Sequence, residues 1–315
     1  MVTVLMAVRD TPAAQLRQAM DSIRGQTFGD FEFLVLDDGS RDPATLAELA
    51  RQRAADPRIR LETGPHRGLT RTLNRGLDLA SRDWIARQDA DDWSDPERLE
   101  RQLAFLRARP GLRLCGTNAW THRHDGAPLW PTCLPQTAGD VRQAFWSRNP
   151  FVHGSTMFAA AAARAAGGYR EEFPCAQDYD FFWRLAEACG AANLPQPLYH
   201  YRYGGGAVSA RRAGEQARAH RAAQVLADQR RRALPEDVAG AWELAGRAVG
   251  NRAGVLRAAL KQADHSMLAG NDAWGTGRAF LGLWAAHPGS PLAWAKLARW
   301  AVFSALPPAR RMCFR

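Results

Sequence analysis

Short apolar runs alternate with segments of helical spacing through the first 115 residues. Val2–Val8 is apolar almost throughout and rich in Val, the pattern of a buried strand. In residues 15–24, Leu16, Ala19, Met20 and Ile23 fall on one face of a helix. Residues 31–36 predict a second strand, stopped by Asp37-Asp38-Gly39-Ser40, a cluster of turn formers. Residues 43–54 predict a helix with Pro in its first turn. Residues 59–62 give a weak strand, 64–68 a loop and 69–79 a helix. A short strand at 84–87 runs into Asp89-Ala90-Asp91-Asp92, followed by a helix over 96–109 and a strand over 112–115. Residues 117–176 read as irregular and rich in Trp, Pro and His. Residues 177–190 predict a helix and 199–203 a strand, ended by Gly204-Gly205-Gly206. From 207 onward the chain is Ala/Arg-rich and helical in pattern, with breaks near Pro235, Gly250, Gly275 and Pro288.

Strand and helix alternating at this spacing predict βαβ units, an α/β fold with a mostly parallel central sheet and flanking helices. Such sheets bind ligands outside the carboxyl ends of their strands. Asp37-Asp38 and Asp89-Ala90-Asp91 each follow a predicted strand, so two carboxylate clusters distant in sequence are expected at one crevice.

The length of 315 residues suggests two domains, and 46% hydrophobic with 23% charged residues excludes a disordered or collagen-like chain. The charges of residues 1–203 cancel, so the formal +10 arises wholly beyond them. No nucleic-acid partner is expected for the N-terminal part, whereas the basic C-terminal third is suited to an acidic one. MVTVLMAVRD lacks a basic start and a small-residue cleavage site, and no stretch reaches about 18 uncharged apolar residues, so neither leader nor transmembrane helix is expected. Five cysteines without a CxxC pair point to a reduced, cytoplasmic protein without a zinc site. P-loop, GxGxxG, HExxH and GxSxG motifs are absent.

Two carboxylates one residue apart on a turn, Asp89 and Asp91, suit a hard divalent cation, which takes one or two carboxylates together with substrate phosphates. The same segment also reads as a solvated helix start, with Ser94 or Asp95 as its cap. Asp38 is suited to accept the N3–H of a uracil or thymine ring, or to form a plain Asx-turn. Asp178, with Asp180, opens a predicted helix and is a candidate general base or an ordinary N-terminal carboxylate.

With these clusters in order, the chain resembles the family-2 glycosyltransferases of the GT-A fold over about residues 2–209. The stretches that carry the resemblance are VTVLMAVRD, SIRGQTFGDFEFLVLDDGSRD, HRGLTRTLNRGLDLASRDWIARQDADDWSDPERLERQLAFL, FVHGSTMF, GGYREEFPCAQDYDFFWRLA and LPQPLYHYRYGGGAVS. It implies a GT-A catalytic domain over residues 1–206 and a helical basic extension over 207–315. The implied reaction is inverting, metal-dependent transfer of a sugar from a nucleotide-diphosphate donor, foremost a UDP-sugar, to a hydroxyl acceptor. The implied setting is cell-surface glycan or exopolysaccharide synthesis.

Carried over by position, Ala7 and Arg9 sit at the first donor contact, Asp38 matches the base-binding aspartate, and Arg67 lies in the loop that approaches the donor phosphates. Asp89 and Asp91 match the DxD pair, with Asp91 as ligand of Mn²⁺ or Mg²⁺ and Asp89 toward ribose and metal water. Asp178 matches the base of an inverting enzyme. His153 and Arg202 lie where the family approaches diphosphate or acceptor, although His153 reads equally as a structural histidine. Three positions depart from the family pattern. Gln177 precedes Asp178 where Glu is usual, which is expected to lower the Asp178 pKa slightly. His66 and Asp10 stand where Asn is frequent.

The alternatives are a nucleotidyltransferase, for which residues 8–15 supply no phosphate loop, and a degenerate sugar-nucleotide-binding scaffold. Near the C-terminus, Trp294, Leu297, Trp300, Val302, Phe303 and Leu306 interleave with Lys296, Arg299, Arg310 and Arg311. At helical spacing this suits peripheral contact with the inner face of an anionic membrane bearing a lipid-linked glycan acceptor, or else a helical core or dimer contact.

Overall fold

The computed structural model describes residues 1–203 and 213–249. The glycine stop at 204–206, Arg211 and Arg212, the breaks beyond 249 and the Trp- and Arg-bearing C-terminal segment lie outside the described residues.

Strand β1 (Val2–Val8) leads to helix α1 (Ala13–Arg24), β2 (Phe31–Asp37), α2 (Pro43–Ala55), β3 (Ile59–Thr63), α3 (Leu69–Leu79) and β4 (Trp84–Asp89). β5 (Trp93–Ser94) and α4 (Arg98–Arg107) follow, then β6 (Leu114–Arg123) and β7 (Pro128–Pro131). Next come α5 (Ala138–Ala144), a 3₁₀ turn at His153–Ser155, β8 (Met157–Ala159), α6 (Ala160–Ala165), α7 (Gln177–Cys189) and β9 (Ala191–Tyr203). Helices α8 (Ala213–Arg231) and α9 (Val238–Val249) close the described chain.

The sheet order is β3-β2-β1-β4-β8-β6-β9-β5. Strands β3, β2, β1 and β4 are parallel, while β8 runs antiparallel to β4 and β6, as does β5 to β9. Ala7 pairs with Leu36 and with Asp89, and Val8 with Asp37. The carboxyl ends of β2 and β4 are therefore level with that of β1, which brings both carboxylate clusters to one edge.

Burial explains the register. Val2, Val4, Met6 and Val8 share one face of β1 and join Leu16, Ala19, Met20 and Ile23 of α1 in a solvent-free core. Each large side chain so buried contributes about 1.5–3 kcal/mol, and a one-residue slip would turn the whole set outward. On the opposite face α3 approaches so closely that a Cβ at Gly76 would overlap Leu5 and Leu36. Asp42 caps α2 by accepting from the N–H groups of Ala44 and Thr45.

The middle of the chain is more regular than its pattern predicts. β6 extends eight residues past Cys115 although Thr117, Asn118 and Thr121 are buried polar groups. Tertiary partners satisfy Asn118: its Oδ1 accepts from Leu134 N–H at 2.8 Å, and its Nδ2 donates to Pro195 O at 2.8 Å. β9 begins eight residues before the predicted strand. Pro195 and Pro197 mask it in the sequence, because proline is compatible with a strand only where its missing donor is not needed.

The chain divides into two compact units, one of Met1–His122 with Pro131–Arg202, the other of Arg123–Trp130 with the chain from Tyr203 onward. In the second unit, a turn at Gly126 (φ 89°) leads toward β7. Its helices α8 and α9 pack on each other and bury Ala219, Ala222, Ala223 and Leu226 together with Ala241 and Ala245. Arg218, Arg221, Arg230 and Arg231 belong to α8, and Arg232 follows it directly. Among the described residues no helix is long and apolar enough to cross a membrane.

Candidate active site

One end of the crevice forms where β2 stops. Asp38 is buried, and its Oδ1 accepts from Arg67 N–H at 2.7 Å while Oδ2 accepts from Gly68 N–H at 3.0 Å. His66 Nδ1 lies 2.8 Å from the same Oδ2, and Thr72 donates as well. Burial raises the Asp38 pKa, but these four donors outweigh it and hold the carboxyl below its ordinary value. Asp38 thus organises the 66–68 loop, and the Arg9 guanidinium lies against the His66 ring. Gly68 takes φ 91°, which lets the loop turn directly into α3.

Beside Asp38 opens a cavity of about 780 Å³, lined among others by Asp37, Thr63, Arg67, Arg71 and Thr72. That size lies within the usual range for small-molecule sites, about 300–1,000 Å³. Asp10, at φ 44°, accepts from Arg41 N–H at 2.6 Å and Asp42 N–H at 2.9 Å and so ties the end of β1 to that of β2. Left-handed backbone explains why Asp serves there as Asn does, since both tolerate it.

The turn after β4 carries the second cluster. Asp89 Oδ1 pairs with Arg87 Nη2 at 2.5 Å, whereas Asp91 is exposed. Asp92 is buried: its Oδ2 accepts from Tyr199 OH at 3.0 Å and its Oδ1 from Arg202 N–H at 2.7 Å. Burial, then the charges of Asp91 and Asp89, push the Asp92 pKa well up. Tyr199 OH also accepts from Asp89 N–H at 3.2 Å, so β9 grips both ends of the turn. A Cβ at Gly154 would overlap Tyr199 OH and Asp89 Oδ2, which makes glycine necessary there. All donors at this turn are oxygens, the set a hard cation prefers. Among the described residues no group of three or more His, Cys, Asp or Glu is arranged as a metal cage. A cation held by Asp91 and completed by donor phosphates needs no such cage.

Asp178 stands in the first turn of α7, after Ala176 in left-handed backbone (φ 54°). A non-glycine residue there stores about 1–3 kcal/mol of strain, a feature that clusters at functional sites. Asn149 Nδ2 donates to Asp178 Oδ2 at 2.8 Å. Burial is the main cause that raises the Asp178 pKa to about 6; the N–H groups of Tyr179 and Asp178 oppose it, and the charge of Asp89 adds to it. The expected slight lowering through Gln177 is therefore outweighed, and the net direction is upward. The Asp89 contribution also means that Asp89 and Asp178 are near enough to feel each other.

His153 is held rather than free. Its Nε2 lies 3.3 Å from Arg87 Nε and 3.0 Å from Tyr169 OH, and burial, then the Arg87 charge, lower its pKa to about 3. Arg202 folds over Trp93 at 4.5 Å and donates to the Asp91 carbonyl and to Gln18, so it braces the turn. Ala7 sits beside Asp89 in the register. Arg87, Asn149, Tyr169 and Tyr199 were not singled out in the sequence, and Asp92 was read only as a member of its cluster. The one signal among them was a charged Arg87 inside an otherwise buried strand.

Comparison with known proteins agrees with this geometry. The family model for Glycosyl transferase family 2 matches residues 3–131. The putative glycosyltransferase EpsE of Bacillus subtilis is 33% identical over 210 residues, 64% of this chain and 72% of EpsE. The amylovoran biosynthesis glycosyltransferase AmsE of Erwinia amylovora is 28% identical over 62% of this chain and 74% of AmsE. The O-antigen biosynthesis protein RfbC of Myxococcus xanthus is 32% identical over 68% of this chain, which spans only 17% of RfbC. Among solved structures, the mannosyltransferase PcManGT from Pyrobaculum calidifontis, in complex with GDP-Man and Mn²⁺, has a TM-score of 0.58 at 18% identity and covers 99% of this chain and 84% of its own. S. aureus TarS 1–349 has a TM-score of 0.57 at 15% identity, over 96% of this chain and 89% of that fragment. These two establish the GT-A fold alone. The level strand ends with their carboxylates, the family model and the identity to EpsE together mean that this chain belongs to glycosyl transferase family 2.

Proposed function

We propose that this glycosyltransferase moves a sugar, with inversion, from a nucleoside-diphosphate donor to a hydroxyl acceptor, with Asp178 as general base. The observation that carries the reading is a carboxyl raised to about 6 at the start of α7, close enough to Asp89 to feel its charge. A base poised near neutral pH suits removal of a hydroxyl proton, an effect worth about 10²–10⁴-fold. Asp178 takes the acceptor proton as the acceptor oxygen attacks the anomeric carbon, and the nucleoside diphosphate departs from the opposite face. Asn149 keeps the carboxylate in one orientation. Asp38, Arg9 and Arg67 serve the donor, with an imide N–H of uracil replacing His66 at Asp38. Asp89 serves the ribose, Asp91 holds Mn²⁺ or Mg²⁺, and His153 and Arg202 support the diphosphate side. The cation, when bound, neutralises charge on the departing diphosphate.

GDP-Man with Mn²⁺ in PcManGT, and UDP in a TarS complex, support a metal-assisted nucleotide donor. The names of RfbC and AmsE support a surface polysaccharide as the product class. The proposed acceptor is a glycan or lipid-linked glycan, met at the inner face of the membrane through the basic C-terminal part. Release of nucleoside diphosphate from UDP-, dTDP- and GDP-sugars, with Mn²⁺ or Mg²⁺ and with EDTA, tests the reaction. Metal-dependent release from one donor is expected, and release unaffected by EDTA contradicts the metal assignment. Flotation with anionic vesicles at low salt tests the membrane part, and absence of binding refutes it.

A further inference from the structure

Arg87 lies in the middle of the sheet with no exposed surface. A buried guanidinium is tolerated only when its donors are answered. Here they are answered by groups from separate elements. Nη1 donates to Leu5 O of β1 at 2.6 Å and to Gln88 O at 3.0 Å. Nη2 donates to Asp89 Oδ1 at 2.5 Å, and Nε to His153 Nε2 at 3.3 Å. Tyr169, just ahead of α7, completes the group through its hydroxyl, 3.0 Å from the same His153 nitrogen.

The direction of these bonds is fixed. An arginine in a protein does not give up its proton and has no acceptor. His153 Nε2, facing Arg87 Nε–H, must therefore present its lone pair, and the ring proton must sit on Nδ1. In the same way Asp89 Oδ1 is committed to Arg87, while Oδ2 stays on the Gly154 side. One rigid, planar fork thus sets both the first carboxylate of this turn and the histidine beside it. Lysine offers one point of charge and cannot hold both at once.

We propose that Arg87 is the positioning residue of this site: it fixes the Asp89 carboxylate beside Asp91 through Oδ1, and it locks His153 in the Nδ1–H form as a hydrogen-bond donor. This rests on the transferase reading for the role of Asp89, but not for the state of His153.

The test uses the full chain with ¹⁵N-labelled histidine, its Arg87→Lys and Arg87→Met variants, and His153→Gln to assign the signal. Long-range ¹H–¹⁵N spectra at neutral pH give the tautomer, melting curves report folding, and kinetics with Mg²⁺ and the donor that is turned over give kcat and KM. Wild type should show His153 protonated on Nδ1 and unprotonated on Nε2. Arg87→Lys should fold, lose the single tautomer, and lose about 100-fold in kcat with donor KM changed by less than about fivefold, because misplacement by about 1 Å costs that much rate while the charge beside Asp89 is kept. Arg87→Met should show the same tautomer loss; if it does not fold, Arg87→Lys alone decides. An Nε2–H tautomer in wild type, a wild-type kcat in Arg87→Lys, or a loss confined to KM overturns the proposal. If wild type turns over no donor, the transferase reading fails, whereas the tautomer spectra still decide whether Arg87 sets His153.

Discussion

Asp178→Asn should make the protein more stable and inactive at once. The carboxyl has a pKa raised from 3.8 to about 6, chiefly by burial. A group with a raised folded-state pKa contributes its stability below the unfolded value, near pH 4, and that contribution is lost as pH rises through about 6. Above that, ionised Asp178 burdens the fold by about 2 pKa units, or about 3 kcal/mol at 1.36 kcal/mol per unit. Asparagine removes this burden and can still accept from Asn149. The variant should therefore gain about 3 kcal/mol at pH 8, roughly 6–12 °C in Tm for a unit of this size, and little at pH 4. Denaturant titrations of both proteins at the two pH values, with EDTA and no donor, provide the readout. Equal stabilities at pH 8, or a gain that is larger at pH 4, would show that burial does not raise this carboxyl.

The same geometry leads to further expectations. Asp38→Ala should release the N–H groups of Arg67 and Gly68 and weaken nucleotide binding by about tenfold or more, measured by calorimetric titration with UDP. Asp38→Asn, which keeps one carbonyl acceptor, should lose less. Gly154→Ala should force Tyr199 and Asp89 apart, with an overpacking cost of about 1–3 kcal/mol seen in thermal melts and a fall in kcat. Asp91→Asn should abolish the difference between Mg²⁺ and EDTA in donor turnover while leaving the melting temperature near that of wild type, since the side chain is exposed.

What the sequence made legible was local. The apolar run of β1 and the stripe of Leu16, Ala19, Met20 and Ile23 predict their elements because each is decided by a few neighbouring side chains. The turn clusters at Asp37-Asp38 and Asp89–Asp92 follow their strands for the same reason. The parallel register then places them together, as expected.

The hidden part is tertiary. Tyr199 is 107 residues from Asp92, and its hydroxyl secures a turn that looks self-contained in the sequence. Asn149 lies 29 residues before the carboxylate it orients. Pro195 and Pro197 concealed most of β9, and buried polar residues concealed β6, because hydrogen bonds from other segments replace the apolar signal there. Arg202, expected at the diphosphate side, braces the Asp91 turn against Trp93 through a contact that spans 111 residues of the chain. Gln177 suggested a weaker base, and burial of Asp178 reverses that sign.

The central claim is that Asp178 removes the acceptor proton. The most direct test is the pH dependence of kcat/KM for wild type and Asp178→Asn, from pH 5 to 8.5, with saturating Mg²⁺ and the donor that is turned over. Wild type should rise through an acid limb near pH 6 and then level off, while Asp178→Asn should lie about 10²–10⁴-fold lower without that limb. An Asp178→Asn enzyme with the wild-type rate, or one that keeps the same limb, contradicts the account.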